Sequence, residues 1–380
     1  MKTNAKPTLI INRKEMKKMI LKIMLYVVVT IALVILLATI TLWVKSPGVS
    51  KQFADSAGKT IEGSISIIEK VALGGQEQYI IIRGANTSKP IMLFLHGGPG
   101  SPEVAFIKHY NPDIERNYVM VYWEQRGAGK SYSKSIDAES MNLKQMISDT
   151  RELSEYLANR FNREKIFLIG HSWGSMLGIF TAYKYPELYH AYFGIGQVCH
   201  QFKGEQISLD WALVQANERS DTDAIKTLIN LSFPDSTAAV DTWLKYLMME
   251  RRYVNRYGGG TTREIRRMWP LVNLVMNSGI YTMGEKLNFM NASVFSLEHL
   301  WMDVINTNLF NEIDSMSVPT YIFHGTFDYT TPYPLAKEFY QQLKAPQKRF
   351  FSFDNSAHSP IMEEPEKFNA ILRELTDYFL

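Results

Sequence analysis

Gly170-His171-Ser172-Trp173-Gly174 directly follows the apolar run Lys165-Ile166-Phe167-Leu168-Ile169 and precedes a helical stretch that begins at Ser175. A strand-to-helix turn of the form G-x-S-x-G lifts its serine hydroxyl clear of the sheet, because the flanking glycines permit contacts that a Cβ would block. The helix that follows adds backbone N–H groups and a partial positive charge, which stabilise a developing oxyanion. The alternative is a tight turn with an incidental serine. The prediction that Ser172 is a nucleophile therefore requires the other parts of a catalytic site elsewhere in the sequence.

A second glycine-rich motif lies upstream. The apolar run Ile91-Met92-Leu93-Phe94-Leu95 leads into His96-Gly97-Gly98-Pro99-Gly100. In enzymes with a nucleophilic serine, such a turn brings a backbone N–H close to the substrate oxygen. We predict that the N–H groups of Gly98 and Trp173 form the oxyanion hole. His96 is predicted to be a turn residue held by hydrogen bonds, because the base follows the nucleophile in the chain order Ser, acid, His.

The last two strand-like runs are each followed by a residue that completes this order. Residues 319–325 precede Asp328, and residues 349–353 precede His358. A serine hydroxyl needs an imidazole to take its proton and a carboxylate to orient that imidazole. The sequence therefore predicts a catalytic triad of Ser172, Asp328 and His358.

Other positions for the acid are less favourable. Asp354 precedes His358 by four residues at the same strand end, where a carboxylate is expected to be solvated. The loop after residues 191–196 contains only Gln197-Val198-Cys199 and no carboxylate. Asp328 remains the better candidate.

Further motifs combine with these into a wider pattern. They are His96-Gly97-Gly98-Pro99-Gly100, Tyr122-Trp123-Glu124-Gln125-Arg126-Gly127-Ala128-Gly129-Lys130-Ser131, Gly170-His171-Ser172-Trp173-Gly174-Ser175, residues 325–328, and Ala357-His358. The pattern resembles the prolyl iminopeptidase group of α/β-hydrolases (serine peptidase family S33). The resemblance covers residues 62–198 and 317–380, and it implies an α/β-hydrolase fold with Ser172, Asp328 and His358 as the triad. That family usually has Asp-Gln-Arg-Gly where this chain has Glu124-Gln125-Arg126-Gly127.

The resemblance also implies a substrate with a free amine, which the family holds through a glutamate at the end of a tryptophan-rich cap motif. This chain has no clear copy of that motif. A buried ammonium group needs a paired charge to offset its desolvation, so a cap carboxylate is expected near the pocket. Glu250 is the candidate, since it follows the helical pattern of residues 241–249 and precedes the turn at Gly258. The alternative is a salt bridge at the surface between Glu250 and its arginine neighbours at positions 251–256.

The N-terminal region contains a long apolar segment. The 22 residues from Ile23 to Val44 carry no charge. At about 1.5 Å per residue they form a helix of about 33 Å, enough for a hydrocarbon core of about 30 Å. We predict that residues 23–44 cross the lipid bilayer. A cleaved signal peptide is the alternative, but its apolar region is usually only about 7 to 15 residues long and ends at an A-x-A-like site. A buried core helix is disfavoured because the segment lacks an amphipathic stripe.

Charge around this segment predicts its orientation. Seven basic residues and one acid precede it, whereas only three lysines and Asp55 follow before residue 60. An excess of Lys and Arg marks the cytoplasmic side. We therefore expect a single-pass protein of the cell membrane with a cytoplasmic N-terminus and an extracytoplasmic catalytic domain.

Strands alternate with helices along most of the remaining chain, which predicts an α/β fold with a mostly parallel sheet covered on both faces. A hairpin is expected over residues 64–83. The alternation stops between Gln197 and Val318, where helical patterns predict a cap insertion. The predicted regions are a basic cytoplasmic tail (1–22), a transmembrane anchor (23–44), a stalk (45–61), the hydrolase core (62–198 and 317–380) and a helical cap (199–316).

Composition excludes several functions. The net charge of +3 comes largely from the N-terminal basic cluster, so it does not indicate nucleic-acid binding. Cys199 is the only cysteine, which rules out an intrachain disulfide. The chain has neither zinc-ligand spacing nor a Walker-type loop, so we expect no metal and no cofactor.

Together these features predict a membrane-anchored serine hydrolase, most simply an aminopeptidase acting on short peptides or aminoacyl amides and esters. The alternative is a carboxylesterase or lipase-like enzyme that hydrolyses membrane-proximal esters. Relatives with an aspartate nucleophile, such as dehalogenases and epoxide hydrolases, are disfavoured because position 172 is serine. A catalytically inactive binding module would be expected to lack a triad residue. The sequence does not specify an oligomeric state.

Overall fold

A mostly parallel eight-stranded sheet forms the centre of the molecule in the computed structural model, which describes residues 13–379. The strand order is β1-β2-β4-β3-β5-β6-β7-β8; β1 and β2 are antiparallel to each other, β2 is antiparallel to β4, and the other neighbours are parallel. The strands are β1 (Ile65–Leu73), β2 (Gln76–Gly84), β3 (Ile91–Leu95), β4 (Val119–Glu124), β5 (Ile166–His171), β6 (Tyr189–Ile195), β7 (Thr320–Gly325) and β8 (Lys348–Phe353). This arrangement confirms the predicted fold class.

Local sequence explains the sheet. The two-residue turn Gly74-Gly75 joins β1 to β2 and produces the expected hairpin. Every residue of β3, β4, β5 and β7 is buried, as in parallel strands covered on both faces. Alternate side chains point to opposite faces, so Leu93 joins the apolar cluster on one side and Phe94 joins the cluster on the other.

Helices cover both faces of the sheet. Apolar residues of α4, α5 and α12 belong to one cluster, and those of α2, α3, α13 and α14 belong to the other. In α4 the buried residues recur at helical spacing, for example Met146, Thr150, Leu153 and Leu157. The core helices are α2 (Val104–Tyr110), α3 (Ile114–Asn117), α4 (Leu143–Arg160), α5 (Trp173–Lys184), α12 (Tyr333–Gln342), α13 (Pro360–Glu363) and α14 (Pro365–Asp377).

Six helices lie between β6 and β7, in the region predicted to form a cap. They are α6 (Gln201–Glu218), α7 (Thr222–Ile229), α8 (Val240–Tyr257), α9 (Trp269–Asn277), α10 (Met283–Asn306) and α11 (Leu309–Glu312). Residues of α6, α7 and α8 share an apolar cluster of their own. The chain leaves α8 at Gly258, whose left-handed conformation ends the helix. The Gly258–Gly260 turn then runs over the loops that follow β7 and β8, where the backbone N–H groups of Tyr329 and His358 donate to Gly259 and Gly260.

The N-terminal helix α1 (Arg13–Val44) is longer than the predicted span of 23–44. It includes part of the predicted tail 1–22, of which residues 1–12 lie outside the described residues. None of its described residues is buried, and its length and composition are sufficient to cross a membrane.

The segment after α1 differs from the predicted stalk of residues 45–61, because it packs against the body of the protein. The Val49 N–H donates to the Gly279 carbonyl at 2.9 Å. The guanidinium of Arg83 donates to Ser50 Oγ at 2.7 Å and to the Lys51 carbonyl at 2.8 Å. The sequence did not predict this packing, because the polar and glycine residues of the segment make their contacts with distant parts of the chain.

Candidate active site

Ser172 lies at the tip of the turn between β5 and α5. Its backbone has φ 57° and ψ −123°, an unusual conformation for a residue other than glycine. The turn requires close backbone packing: a Cβ at Gly170 would overlap the Gly174 carbonyl, and a Cβ at Gly174 would overlap the Leu95 carbonyl. Ser172 is partly exposed, so its hydroxyl is accessible at the carboxyl end of the sheet.

The two predicted oxyanion donors lie beside Ser172. Trp173 is the first residue of α5, and its N–H precedes the hydrogen-bonded part of the helix. The Gly97 N–H donates to Glu103 Oε1 at 2.9 Å, whereas the N–H of Gly98 has no hydrogen-bond acceptor among the described residues. A Cβ at Gly97 would approach Ser172 Cβ to 3.0 Å, so the glycine turn and the serine are in direct contact.

Asp328 and His358 form a buried pair above the ends of β7 and β8. His358 Nδ1 donates to Asp328 Oδ2 at 2.8 Å. The same carboxylate accepts from the Thr330 and Thr331 N–H groups at 2.9 Å, from Thr331 Oγ1 at 2.8 Å, and lies 3.1 Å from His324 Nε2. Burial alone would raise the pKa of Asp328, but His358 and the hydrogen bonds from both histidines lower it below its usual range. Asp328 is therefore a fixed anion facing His358.

His358 is itself suited to act as a base. Burial lowers the pKa of its imidazole, an effect that Asp328 opposes but does not cancel. The imidazole is therefore neutral at neutral pH, as acceptance of a proton requires. Asp354, the rival acid, is exposed at the surface. His96 is buried, with Nδ1 against the Gly97 carbonyl at 2.9 Å, as expected for a structural turn residue.

A second buried pair, which sequence reasoning missed, joins the two glycine motifs to the histidine loop. His171 Nδ1 lies 2.9 Å from the Glu103 carboxylate, and His171 Nε2 lies 2.9 Å from the carbonyl of His358. Both partners are acceptors, so the His171 ring is placed to donate from both nitrogens, which an imidazolium can do. Burial alone would lower the pKa of His171, but Glu103 outweighs burial and raises it. The pair therefore fixes the backbone of His358 relative to Ser172.

The Glu124-Gln125-Arg126-Gly127 motif supports the same region. Gln125 accepts from Trp173 Nε1 at 2.9 Å and donates to the His96 carbonyl at 3.0 Å, so it links the elbow to the end of β3. Glu124 accepts from the hydroxyl of Tyr281, a cap residue, at 2.7 Å. Burial raises the pKa of Glu124 to about 7. The glutamate that replaces the usual aspartate thus connects the core to the cap.

Glu250 lies in a charged cluster inside the cap. It accepts from Ser208 Oγ and from the Arg251 guanidinium, both at 2.5 Å, and it is fully buried. Arg251 also pairs with Glu205 of α6, a residue that sequence reasoning missed. The ion pair with a neighbouring arginine is thus present, in the interior instead of at the surface. Burial raises the pKa of Glu250 to about 7, against the opposing effect of Arg251.

One glutamine connects this cluster to the acid loop. Gln201 Nε2 donates to Glu205 Oε1 at 2.6 Å and to the Thr330 carbonyl at 3.0 Å. Glu205 Oε2 is buried and has no hydrogen-bond partner among the described residues. The cluster therefore contains a buried carboxylate oxygen that lacks a hydrogen-bond donor among the described residues. The side chain of Gln201 connects Glu205 to the turn that follows Asp328.

This sheet, with a serine elbow and an Asp-His pair at its carboxyl edge, defines the protein class. The chain belongs to the α/β-hydrolase fold family, whose sequence model matches residues 90–365.

Two relatives and one solved structure show which α/β-hydrolases this chain is similar to. The Probable aminopeptidase YbaC of Bacillus subtilis (strain 168) is 33% identical over 307 residues, which cover 80% of this chain and 94% of that protein. A Proline iminopeptidase of Lactobacillus helveticus is 26% identical over 82% of this chain and 99% of its own length. The crystal structure of Proline iminopeptidase from Mycobacterium smegmatis has the same fold, with a TM-score of 0.58 and 16% identity over 81% of this chain and 97% of its own. The resemblance to the prolyl iminopeptidase group is therefore confirmed, and the protein is a hydrolase.

Proposed function

We propose that the protein is a serine hydrolase in which Ser172, His358 and Asp328 form the catalytic triad. The hydrogen bond between His358 Nδ1 and Asp328 Oδ2, close to the Ser172 elbow, is the observation that carries this proposal. Ser172 Oγ attacks the substrate carbonyl while His358 Nε2 takes its proton. The N–H groups of Gly98 and Trp173 stabilise the oxyanion. His358 then protonates the leaving group, and water hydrolyses the acyl-enzyme by the same steps.

We further propose that the substrate carries a free amine and that Glu250 and Glu205 bind it. Two carboxylates share one guanidinium in the cluster, so full ionisation leaves one excess negative charge. The raised pKa of Glu250, about 7, means that a proton readily occupies this site at neutral pH. A substrate ammonium group would replace that proton and supply a donor to the unpartnered Glu205 Oε2. Short peptides and aminoacyl amides or esters meet this requirement, and the aminopeptidase names of the relatives support it.

The free-amine requirement predicts a preference between two matched substrates. The protein should hydrolyse an aminoacyl amide faster than its N-acetylated twin. Glu250→Gln and Glu205→Gln should each reduce that preference by about 30-fold or more, because a buried charge pair loses about 2 to 5 kcal/mol when one partner is removed. The measurement is the ratio of kcat/KM for the two substrates on the same preparation, which does not depend on the fraction of folded enzyme.

Glu298→Gln provides the matched control, since Glu298 is an exposed glutamate of the cap helix α10. Its substrate ratio should equal that of the wild type. Equal hydrolysis of both twins by the wild type would contradict the amine site. It would favour the alternative of a carboxylesterase acting on membrane-proximal esters, for which the buried pairing of Glu250 with Arg251 would be purely structural.

We also propose that α1 anchors the protein as a single membrane span, with the N-terminus in the cytoplasm and the hydrolase outside. An apolar helix without buried residues needs a non-aqueous environment, and the basic residues at its N-terminal end favour this orientation.

Protease added to intact spheroplasts tests the orientation. It should digest the hydrolase domain and spare a small fragment that contains α1, as detected with a tag at the N-terminus. Spheroplasts lysed before treatment are the control for protease activity. Protection of the whole chain in intact spheroplasts would reverse the orientation, and release of the hydrolase into the medium would indicate a cleaved signal sequence.

A further inference from the structure

The end of α1 is held against the cap without a flexible connection. Lys286 Nζ, on the first turn of α10, donates to the carbonyl of Lys45 at 2.7 Å and to that of Met276 at 2.9 Å. Lys45 Nζ donates to Asn277 Oδ1, at the end of α9, at 2.7 Å. The point where α1 ends is therefore fixed beside the adjoining ends of α9 and α10.

Helix α10 exposes an apolar stripe next to this point. Leu287, Met290 and Val294 follow one another at spacings of three and four residues, and they are 60%, 60% and 44% exposed. That spacing places them on one face of the helix. The opposite face is buried, through residues such as Ala292 and Ser296. Soluble proteins usually cover such a face, so the stripe indicates an interaction surface.

The start of α9 adds aromatic and basic residues. Met268 and Trp269 are 56% and 71% exposed. Arg266 and Arg267 directly precede them and are exposed as well. Tryptophan is enriched where a protein meets the bilayer interface, and arginine beside it is attracted to anionic headgroups.

We propose that these two exposed groups on either side of the α1 junction, Met268 and Trp269 on α9 and Leu287, Met290 and Val294 on α10, insert into the interface of the bilayer that α1 crosses; together they are named the cap patch. The inference rests on the proposed membrane anchoring. Leu287 directly follows Lys286, which is bonded to the end of α1, and Met290 lies about 5 Å further along α10 at 1.5 Å per residue. Trp269 lies about 12 Å from Asn277 by the same rise. Both parts of the cap patch therefore lie within about 12 Å of residues that are bonded to the segment directly after α1.

Insertion of the cap patch would also determine where the catalytic site lies. The helix that carries the apolar stripe continues to the glycine turn of the oxyanion hole, where Ser293 Oγ donates to the Gly100 carbonyl at 2.6 Å. The segment that precedes Trp269 starts at Gly260, which accepts the backbone N–H of His358. The active site is thus held near the bilayer surface, with no free tether between them.

Nitroxide labelling of the full chain tests the cap patch. Met290→Cys carries the label in the patch, and Met248→Cys is the matched control, because Met248 is a 74% exposed methionine of cap helix α8. Cys199 is buried and does not compete for the label. The protein is reconstituted in vesicles of phosphatidylcholine and phosphatidylglycerol, and relaxation by oxygen is compared with relaxation by a water-soluble nickel complex. The ratio of oxygen to nickel relaxation should be several-fold higher at position 290 than at position 248.

A third label, at Leu33→Cys in the middle of α1, separates the two proposals. Equal ratios at positions 290 and 248, with position 33 in lipid, would overturn the cap patch and leave the anchor standing. A high ratio of oxygen to nickel relaxation at position 290, together with a low ratio at position 33, would support the cap patch and overturn the anchor. Shielding of position 290 from both reagents would also overturn the lipid contact, because it would indicate a second protein chain. In the Met290→Cys background, Arg266→Glu with Arg267→Glu should lower the ratio through repulsion by phosphatidylglycerol.

Discussion

Ser172→Ala is expected to abolish covalent labelling by a fluorophosphonate probe and to lower kcat on the order of 10⁶-fold, because triad residues act as a unit. Ser172 is partly exposed at the elbow, directly before Trp173, the first residue of α5. Ser175, the next serine along α5, is buried, and its hydroxyl donates to the Ser172 carbonyl at 2.6 Å. Of these two hydroxyls, only that of Ser172 would therefore be accessible to the probe.

The experiment compares labelling and hydrolysis by the wild type, by Ser172→Ala and by Ser133→Ala, an exposed surface serine. Thermal melting should show similar folded states for all three proteins, because removal of a partly exposed hydroxyl leaves the turn intact. Ser133→Ala should label and react like the wild type. Labelling that survives in Ser172→Ala would refute the assignment of the nucleophile.

The fold was predictable because its determinants are local in the sequence. Strands buried on both faces appear as short apolar runs, such as the one over Ile91–Leu95, and glycine motifs mark the turns that follow them. The chain order of Ser172, Asp328 and His358 then identified a pair of residues that the structure brings to 2.8 Å, although 30 positions separate them. The position of each residue after an apolar run was enough to predict that Asp328 and His358 would pair.

The partners that orient the site were not predictable in the same way. Glu103 and His171 meet across 68 positions, and Glu205 meets Arg251 across 46. Glutamates on a polar helix face usually point to solvent, so nothing local distinguishes Glu205 from an ordinary surface residue. The first contact depends on the pairing of β3 with β5 in the core, and the second depends on the packing of α6 against α8 within the cap. The same reason explains why residues 45–61 were predicted to be a stalk although they pack against the body.

Asp328→Asn is expected to lower kcat on the order of 10⁴-fold, the loss typical of a triad acid replaced by its amide. Oδ1 of Asp328 accepts the N–H groups of Thr330 and Thr331, so the amide oxygen of an asparagine would stay there. Its NH₂ group would then face His358 Nδ1, which would have to become an acceptor. The imidazole proton would move to Nε2, and His358 could no longer take the proton of Ser172.

Asp354→Asn is the matched control for this prediction, because Asp354 is the exposed aspartate in the loop that carries His358. Its kcat/KM should stay within about twofold of the wild type, since surface substitutions usually change free energies by less than about 0.5 kcal/mol. Asp328→Asn should keep its reaction with the fluorophosphonate probe at a strongly reduced rate, because the nucleophile and the oxyanion donors remain. Full activity in Asp328→Asn together with a large loss in Asp354→Asn would transfer the role of the acid to Asp354. Circular dichroism of both variants separates a catalytic loss from unfolding, since only the tautomer of His358 is expected to change.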